Sequence, residues 1–90
     1  MYTLIITDAY KKCAKKFLRK HPDLVDRYLK TLEFLQTNPY HPSLRLHGLG
    51  GSLEGLHSVS INLSYRITLE LVITDKEITL INVGDHQAVY

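Results

Sequence analysis

An α+β fold, with a helical hairpin packed on one face of a mainly antiparallel β-sheet, is predicted by three features of this 90-residue chain. Apolar residues recur at helical spacing in two consecutive stretches between Ala9 and Leu35. The block Val59–Leu71 then alternates, with Val59, Ile61, Leu63, Tyr65, Ile67, Leu69 and Leu71 on one parity and Ser60, Asn62, Ser64, Arg66, Thr68 and Glu70 on the other. A further β-rich run, Ile78 to Val83, follows a turn at Thr74–Glu77. The expected order is β-α-α-β-β-β with an extra short strand, in one domain spanning residues 1–90.

Each element has its own signal. Tyr2–Thr7 is a short β-rich run, and Thr7 or Asp8 suits the N-cap of the first helix. Ala9, Tyr10, Cys13, Ala14, Phe17 and Leu18 form the apolar stripe of that helix, and a lysine cluster forms its opposite face. Pro22 marks the start of the second helix, with Asp23 and Asp26 near its positive end and His21 expected to help cap it. Leu24, Val25, Tyr28, Leu29, Leu32 and Leu35 continue the period until Asn38-Pro39 ends it. Tyr40–Ser43 reads as a loop and Ser43–His47 as a short strand, followed by a glycine-punctuated connection at Gly48, Gly50, Gly51 and Gly55. No Gly-Lys-Ser/Thr follows those glycines, which argues against a phosphate-binding P-loop. Asn62–Ser64 is the expected hairpin turn.

Composition narrows the function classes. At 44% hydrophobic and 22% charged residues the chain has the make-up of a folded domain. No apolar run approaches the roughly 20 residues of a membrane span, and the N-terminal stretch lacks the basic leader of a secretory signal. Cys13 is alone, which excludes an internal disulfide and suits a reducing cytoplasm; its neighbours place it, inert, on a buried helix face. The net charge is only +2, but Lys11, Lys12, Lys15, Lys16, Arg19 and Lys20 hold six of the eleven basic residues. That cluster is either a solvated helix face or a track for phosphates.

The chemistry is expected on the polar strand face. A core excludes Arg66 unless it is paired, so this face should open to solvent or a ligand, with pairing to Glu70 as the alternative. His41 and His57 read as surface residues. No ligand-pair spacing joins His41, His47, His57 and His86, so no metal site is expected, and no cofactor is implied.

Four segments carry a resemblance. Arg45-Leu46-His47-Gly48-Leu49, Gly51-Ser52-Leu53-Glu54-Gly55-Leu56, Leu63-Ser64-Tyr65-Arg66-Ile67 and Val83-Gly84-Asp85-His86-Gln87-Ala88-Val89-Tyr90 resemble, in order, the signatures of the RelE/ParE toxin superfamily. The histidine before the glycine turn and the His-X-X-X-aromatic ending are most similar to the YafQ-like branch. The resemblance implies a type II toxin that cleaves messenger RNA in the ribosomal A site and is neutralised by a cognate antitoxin. It implies catalytic positions at His47 and His86, a C-terminal aromatic at Tyr90, and the strand arginine of the related RelE and YoeB branches at Arg66. Ser60 and Ser64 stand where YafQ-like toxins carry a histidine and an aspartate, and Leu53 and Tyr65 where tryptophan is common, so the implied catalytic set is reduced.

Metal-independent RNA cleavage needs a deprotonated 2′-hydroxyl, a stabilised pentacoordinate phosphate and a protonated 5′-oxygen. Histidine, titrating near ~6.5, suits the proton transfers, and the arginine fork suits the phosphate. Arg66 is assigned to transition-state charge, His86 to general acid, His47 to base or nucleotide positioning, and Tyr90 to stacking or proton transfer. Lys11, Lys12, Lys15, Lys16, Arg19 and Arg45 are the candidate RNA contacts. The alternatives are a ParE-like gyrase inhibitor, against which His86 and Tyr90 argue, and a degenerate toxin that only binds its antitoxin.

Overall fold

The computed structural model describes residues 1–85. The elements run β1 (Thr3–Ile6), α1 (Asp8–Lys20), α2 (Val25–Thr37), β2 (His47–Gly48), β3 (His57–Ser60), β4 (Tyr65–Val72) and β5 (Glu77–Asp85). They build one five-stranded sheet of order β1-β5-β4-β3-β2. Only the β1–β5 pair is parallel. The predicted α+β architecture, a helical pair on a mainly antiparallel sheet, is what the chain adopts.

Local chemistry explains most boundaries. The Thr7 side chain accepts a hydrogen bond from the Tyr10 backbone N–H and caps α1, while Asp8 in the first turn and Arg19 and Lys20 in the last complement the helix dipole. Pro22 opens a single 3₁₀ turn, Pro22–Leu24, before α2 begins at Val25. His21 does not cap α2 as expected, because its side chain makes no capping bond. Its ring packs instead at 4.8 Å from Phe17 and 4.5 Å from Tyr65, since an aromatic face beside two others gains more than a bond to exposed backbone.

The strand expected over Ser43–His47 is absent. Pro42–Leu44 forms a 3₁₀ turn, in which His41 Nδ1 accepts from the Ser43 backbone N–H and Leu44 is buried. Arg45 then turns left-handed at φ 50°, so pairing with β3 starts only at His47. Proline and a side-chain cap outweigh a weak alternation.

Helical and sheet stripes meet in one core of Tyr10, Phe17, Tyr28, Leu35, Val59, Ile67, Leu69 and Leu80, among others. The Tyr10 and Tyr28 hydroxyls lie 2.7 Å apart and join α1 to α2. Cys13, half-buried, donates from Sγ to Asn82 Oδ1 at 2.9 Å. The alternation holds along β4 but not through the turn: Leu63, on the apolar parity, is 85% exposed because it lies in the β3–β4 loop. On β5 the parity is broken by a register shift, since Thr68 pairs with Asn82 and Leu69 with Leu80. Ile81 is the extra residue, so Leu80 and Val83 both reach the core although three positions apart.

Leu69 is fully buried against both helices' layer, and Leu69→Ala is expected to lower unfolding free energy by ~2–5 kcal/mol, measured by urea denaturation. Burial, and then each other's proximity, holds the Tyr10 phenol well above the ordinary tyrosine range, and burial raises Tyr28 as well. Both folded values exceed the unfolded one of about 10, so stability should be level below about pH 10 and fall above it by up to ~1.4 kcal/mol per pH unit for each phenol. Alkaline denaturation curves of the wild type and Tyr10→Phe check this; the variant should fall less steeply.

Candidate functional site

Register places the chemistry. Val59, Ile61, Ile67 and Leu69 face the helices, so Ser58, Ser60, Arg66 and Thr68 project from the other side of the sheet. Ser60 pairs with Arg66 across β3–β4, and Arg66 Nη1 donates to Ser60 Oγ at 3.1 Å. Arg66 also pairs in register with Gly84 of β5, which has no side chain beyond the backbone to stand beside the guanidinium. No Arg66–Glu70 ion pair is present among the described residues.

His47 shares this face. It pairs with Ser58, which lies two residues along β3 from Ser60. With strands ~4.8 Å apart and ~3.3 Å of rise per residue, the Cα atoms of His47 and Arg66 are roughly 12 Å apart. Two long side chains can approach one nucleotide across that span. His47 is exposed, and its Nδ1 lies 3.2 Å from the Arg45 carbonyl oxygen. A carbonyl only accepts, so Nδ1–H is the donor and the neutral ring carries its lone pair on Nε2.

The floor between them is not open as expected. Ser58, Ser60 and Thr68 are buried, and Thr68 Oγ1 has no hydrogen-bond partner. Small hydroxyl side chains sit below the reach of solvent between longer neighbours, and Arg66, His47 and Glu70 stand on the accessible rim. The hairpin that sets this row is held by Asn62, whose Oδ1 accepts from the Ser64 and Tyr65 backbone N–H groups. Ser64 is exposed in that turn. His86 and Tyr90 lie outside the described residues; β5 ends at Asp85, one register row past the Arg66–Gly84 pair.

The structure separates the candidate RNA contacts. Lys11, Lys12, Lys15, Lys16, Arg19 and Lys20 are all exposed on α1, in the helical layer across the sheet from Arg66. Lys16 and Lys20 flank a cleft of about 350 Å³ with Phe17, His21 and Tyr65. Arg45 belongs elsewhere, to a cleft of about 440 Å³ that also contains Ser60 and Arg27. Arg27 was not among the residues singled out in the sequence, where it is one cation on the polar side of a helical period. Its Nε donates to the Ile61 carbonyl at 2.8 Å, a contact between residues 34 positions apart that only the fold creates. His41 and His57 are half-buried rather than on the surface: His41 stacks on Phe34 at 4.1 Å, and His57 Nδ1 is buried without a partner. No group of three or more His, Cys, Asp or Glu residues that could hold a metal occurs among the described residues, and no helix there is long and apolar enough to cross a membrane.

No family model matches the chain, and no curated protein sequence matches it. Solved structures do. The crystal structure of YafQ from E. coli superposes with a TM-score of 0.81 at 17% identity, covering 100% of this chain and 99% of that one. A metal-bound toxin from Helicobacter pylori gives 0.79 at 20% identity over 100% of both chains. The YoeB–YefM complex from Staphylococcus aureus gives 0.72 at 17% identity, covering 96% of this chain and 98% of that one. Full-length superposition with such low identity is a likeness of fold, and it coincides with the four segments that resemble this group: the chain has the fold of the RelE/ParE toxins, with a YafQ structure among those it matches end to end.

Proposed function

We propose that this chain is the toxin of a type II toxin–antitoxin pair and acts as a metal-independent endoribonuclease on messenger RNA at the ribosome. The observation that carries the reading is Arg66: a guanidinium on the polar face of the central hairpin, steadied by Ser60 Oγ, with His47 on the same face and Nε2 as its basic nitrogen. An arginine fork placed over a scissile phosphate stabilises the charge that grows on its equatorial oxygens. His47 Nε2 is suited to take the 2′-hydroxyl proton, or to position the nucleotide. His86, next in the chain after the end of β5, is assigned the proton for the departing 5′-oxygen, and Tyr90 is assigned to stacking on a base or to assisting a proton transfer. The lysines of α1 and Arg45 then serve the strand or ribosomal RNA through charge.

The partner follows from the same reading. One of the superposed structures is a YoeB–YefM complex, and here a cognate antitoxin segment, disordered alone, would order over the polar sheet face or the basic helix. Exposure of Arg66 or Lys15 should fall on co-purification with the neighbouring gene product. Ser60 and Ser64 favour one second reading, a toxin that has lost catalysis and retains antitoxin binding: a serine hydroxyl at either position cannot supply the titrating group that histidine or aspartate would.

Single-turnover cleavage on programmed ribosomes distinguishes these readings. His86→Ala and Arg66→Ala are each expected to slow cleavage by ~10²–10⁴ while thermal melts and antitoxin binding stay unchanged; His47→Ala should cost less. Undiminished cleavage by His86→Ala would remove it from the mechanism, and absence of cleavage by the wild type would establish the degenerate reading. Nitrogen NMR of His47 should show the Nδ1–H tautomer in the neutral ring; an Nε2–H tautomer would rule it out as the base.

A further inference from the structure

Two clefts adjoin at the edge of the sheet, of about 440 and 260 Å³, and they share Arg27, Ser43, Ser60 and Ile61. Together they form a trough bounded by α2, the Pro42–Leu44 turn and the end of β3. Arg27, Lys30 and Arg45 line it, and no carboxylate does so among the described residues. Lys30 is partly satisfied, 3.7 Å from Glu33 and over the Phe34 ring, so the two arginines carry the unbalanced charge.

Donors converge there. Arg27 uses Nε on the Ile61 carbonyl, which anchors the guanidinium and leaves its two terminal amino groups without a described partner. The Asn62 side-chain oxygen is taken by two backbone N–H groups of the hairpin turn, so the amide end of that side chain is what remains for the cleft. Arg45 is held at φ 50° and ψ 48°, a left-handed conformation that glycine would adopt without strain. An arginine kept in that conformation next to a second arginine is suited to a ligand that needs its side chain. A site of donors and positive charge, without an acceptor of its own charge type, selects a polyatomic anion.

We propose that this trough binds a backbone phosphate of single-stranded nucleic acid, with Arg27 and Arg45 as its two cationic walls. The proposal deepens the endoribonuclease reading and rests on it for the identity of the strand. Ser60 supplies the continuity: it lines both clefts, and its Oγ accepts from Arg66, so a strand whose scissile phosphate meets Arg66 leads from there into the trough. An acidic antitoxin peptide fits less well, because cationic and polar side chains make up most of the trough's walls and the large apolar residue exposed there is Leu63.

The test measures binding without cleavage. The salt dependence of affinity for a non-cleavable single-stranded oligodeoxyribonucleotide is determined for the wild type, Arg27→Gln and Arg45→Gly. Each lost phosphate contact should lower the slope of log K against log salt by ~0.7. Arg45→Gly suits the backbone at φ 50°, so its loss of binding should come at an unchanged or higher Tm, which separates ligand contact from misfolding. Slopes equal to the wild type in both variants would overturn the proposal. So would an unchanged slope together with weakened antitoxin association, which would make the trough a protein-docking surface. Reduced slopes in a protein that cleaves no RNA would support the trough and count against the catalytic reading alone.

Discussion

The register between β4 and β5 is the constraint on which both faces of this molecule depend. A strand alternates strictly, so one residue of slip exchanges its buried and exposed sets. Here Ile81 is absorbed as an extra residue opposite the Thr68–Leu69 step, which lets Ile78, Leu80 and Val83 all join the core while Ile81 stays 45% exposed. Without that bulge either Leu80 or Val83 would turn away from the helices. Each such side chain contributes ~1.5–3 kcal/mol when buried, so the core selects the bulged pairing. The same register sets Gly84 beside Arg66 and ends β5 next to the arginine's row. Hydrophobic burial on one side of the sheet therefore positions the cation on the other.

Positive charge is spread over three regions with different environments. The α1 lysines stand in solvent, where water and salt screen them, and they act at a distance or through many weak contacts. Arg66 is half-buried, and its Nη1 donates to the neutral Ser60 hydroxyl. Arg27 and Arg45 stand between these extremes, one anchored to a backbone carbonyl and the other fixed by a left-handed turn. The Lys30–Glu33 ion pair joins neighbours on one helix. An exposed pair of this kind contributes only ~0–1 kcal/mol to the fold; on the proposed reading, the other cations serve instead to attract an anionic strand.

Ser60 sets what stands beside Arg66 on the polar face. Where Ser60 stands, a larger titrating side chain would compete with Arg66 for the same space over the sheet; the hydroxyl instead accepts from the guanidinium. On the proposed reading, this shifts the work from a cluster of acids and bases toward electrostatic stabilisation by arginine, with fewer groups left to move protons.

Periodicity alone determined the layers: the Ala9–Leu18 and Leu24–Leu35 stripes became α1 and α2, and Val59, Ile61, Ile67, Leu69 and Leu80 became core, because burial of a repeating stripe admits only one period. Sequence also distinguished Arg66, since an arginine amid small polar residues on an alternating strand has few places to go. The short strand was misplaced over Ser43–His47, because proline and side-chain capping act through local bonds that alternation does not register. His21, Leu63 and the buried Ser58 and Thr68 depended on which neighbours came near, as did Arg27, whose bond to Ile61 spans 34 residues. Tertiary structure alone decided those contacts: a residue's own pattern shows which side it faces, whereas its partners are set by chain segments that the pattern does not contain.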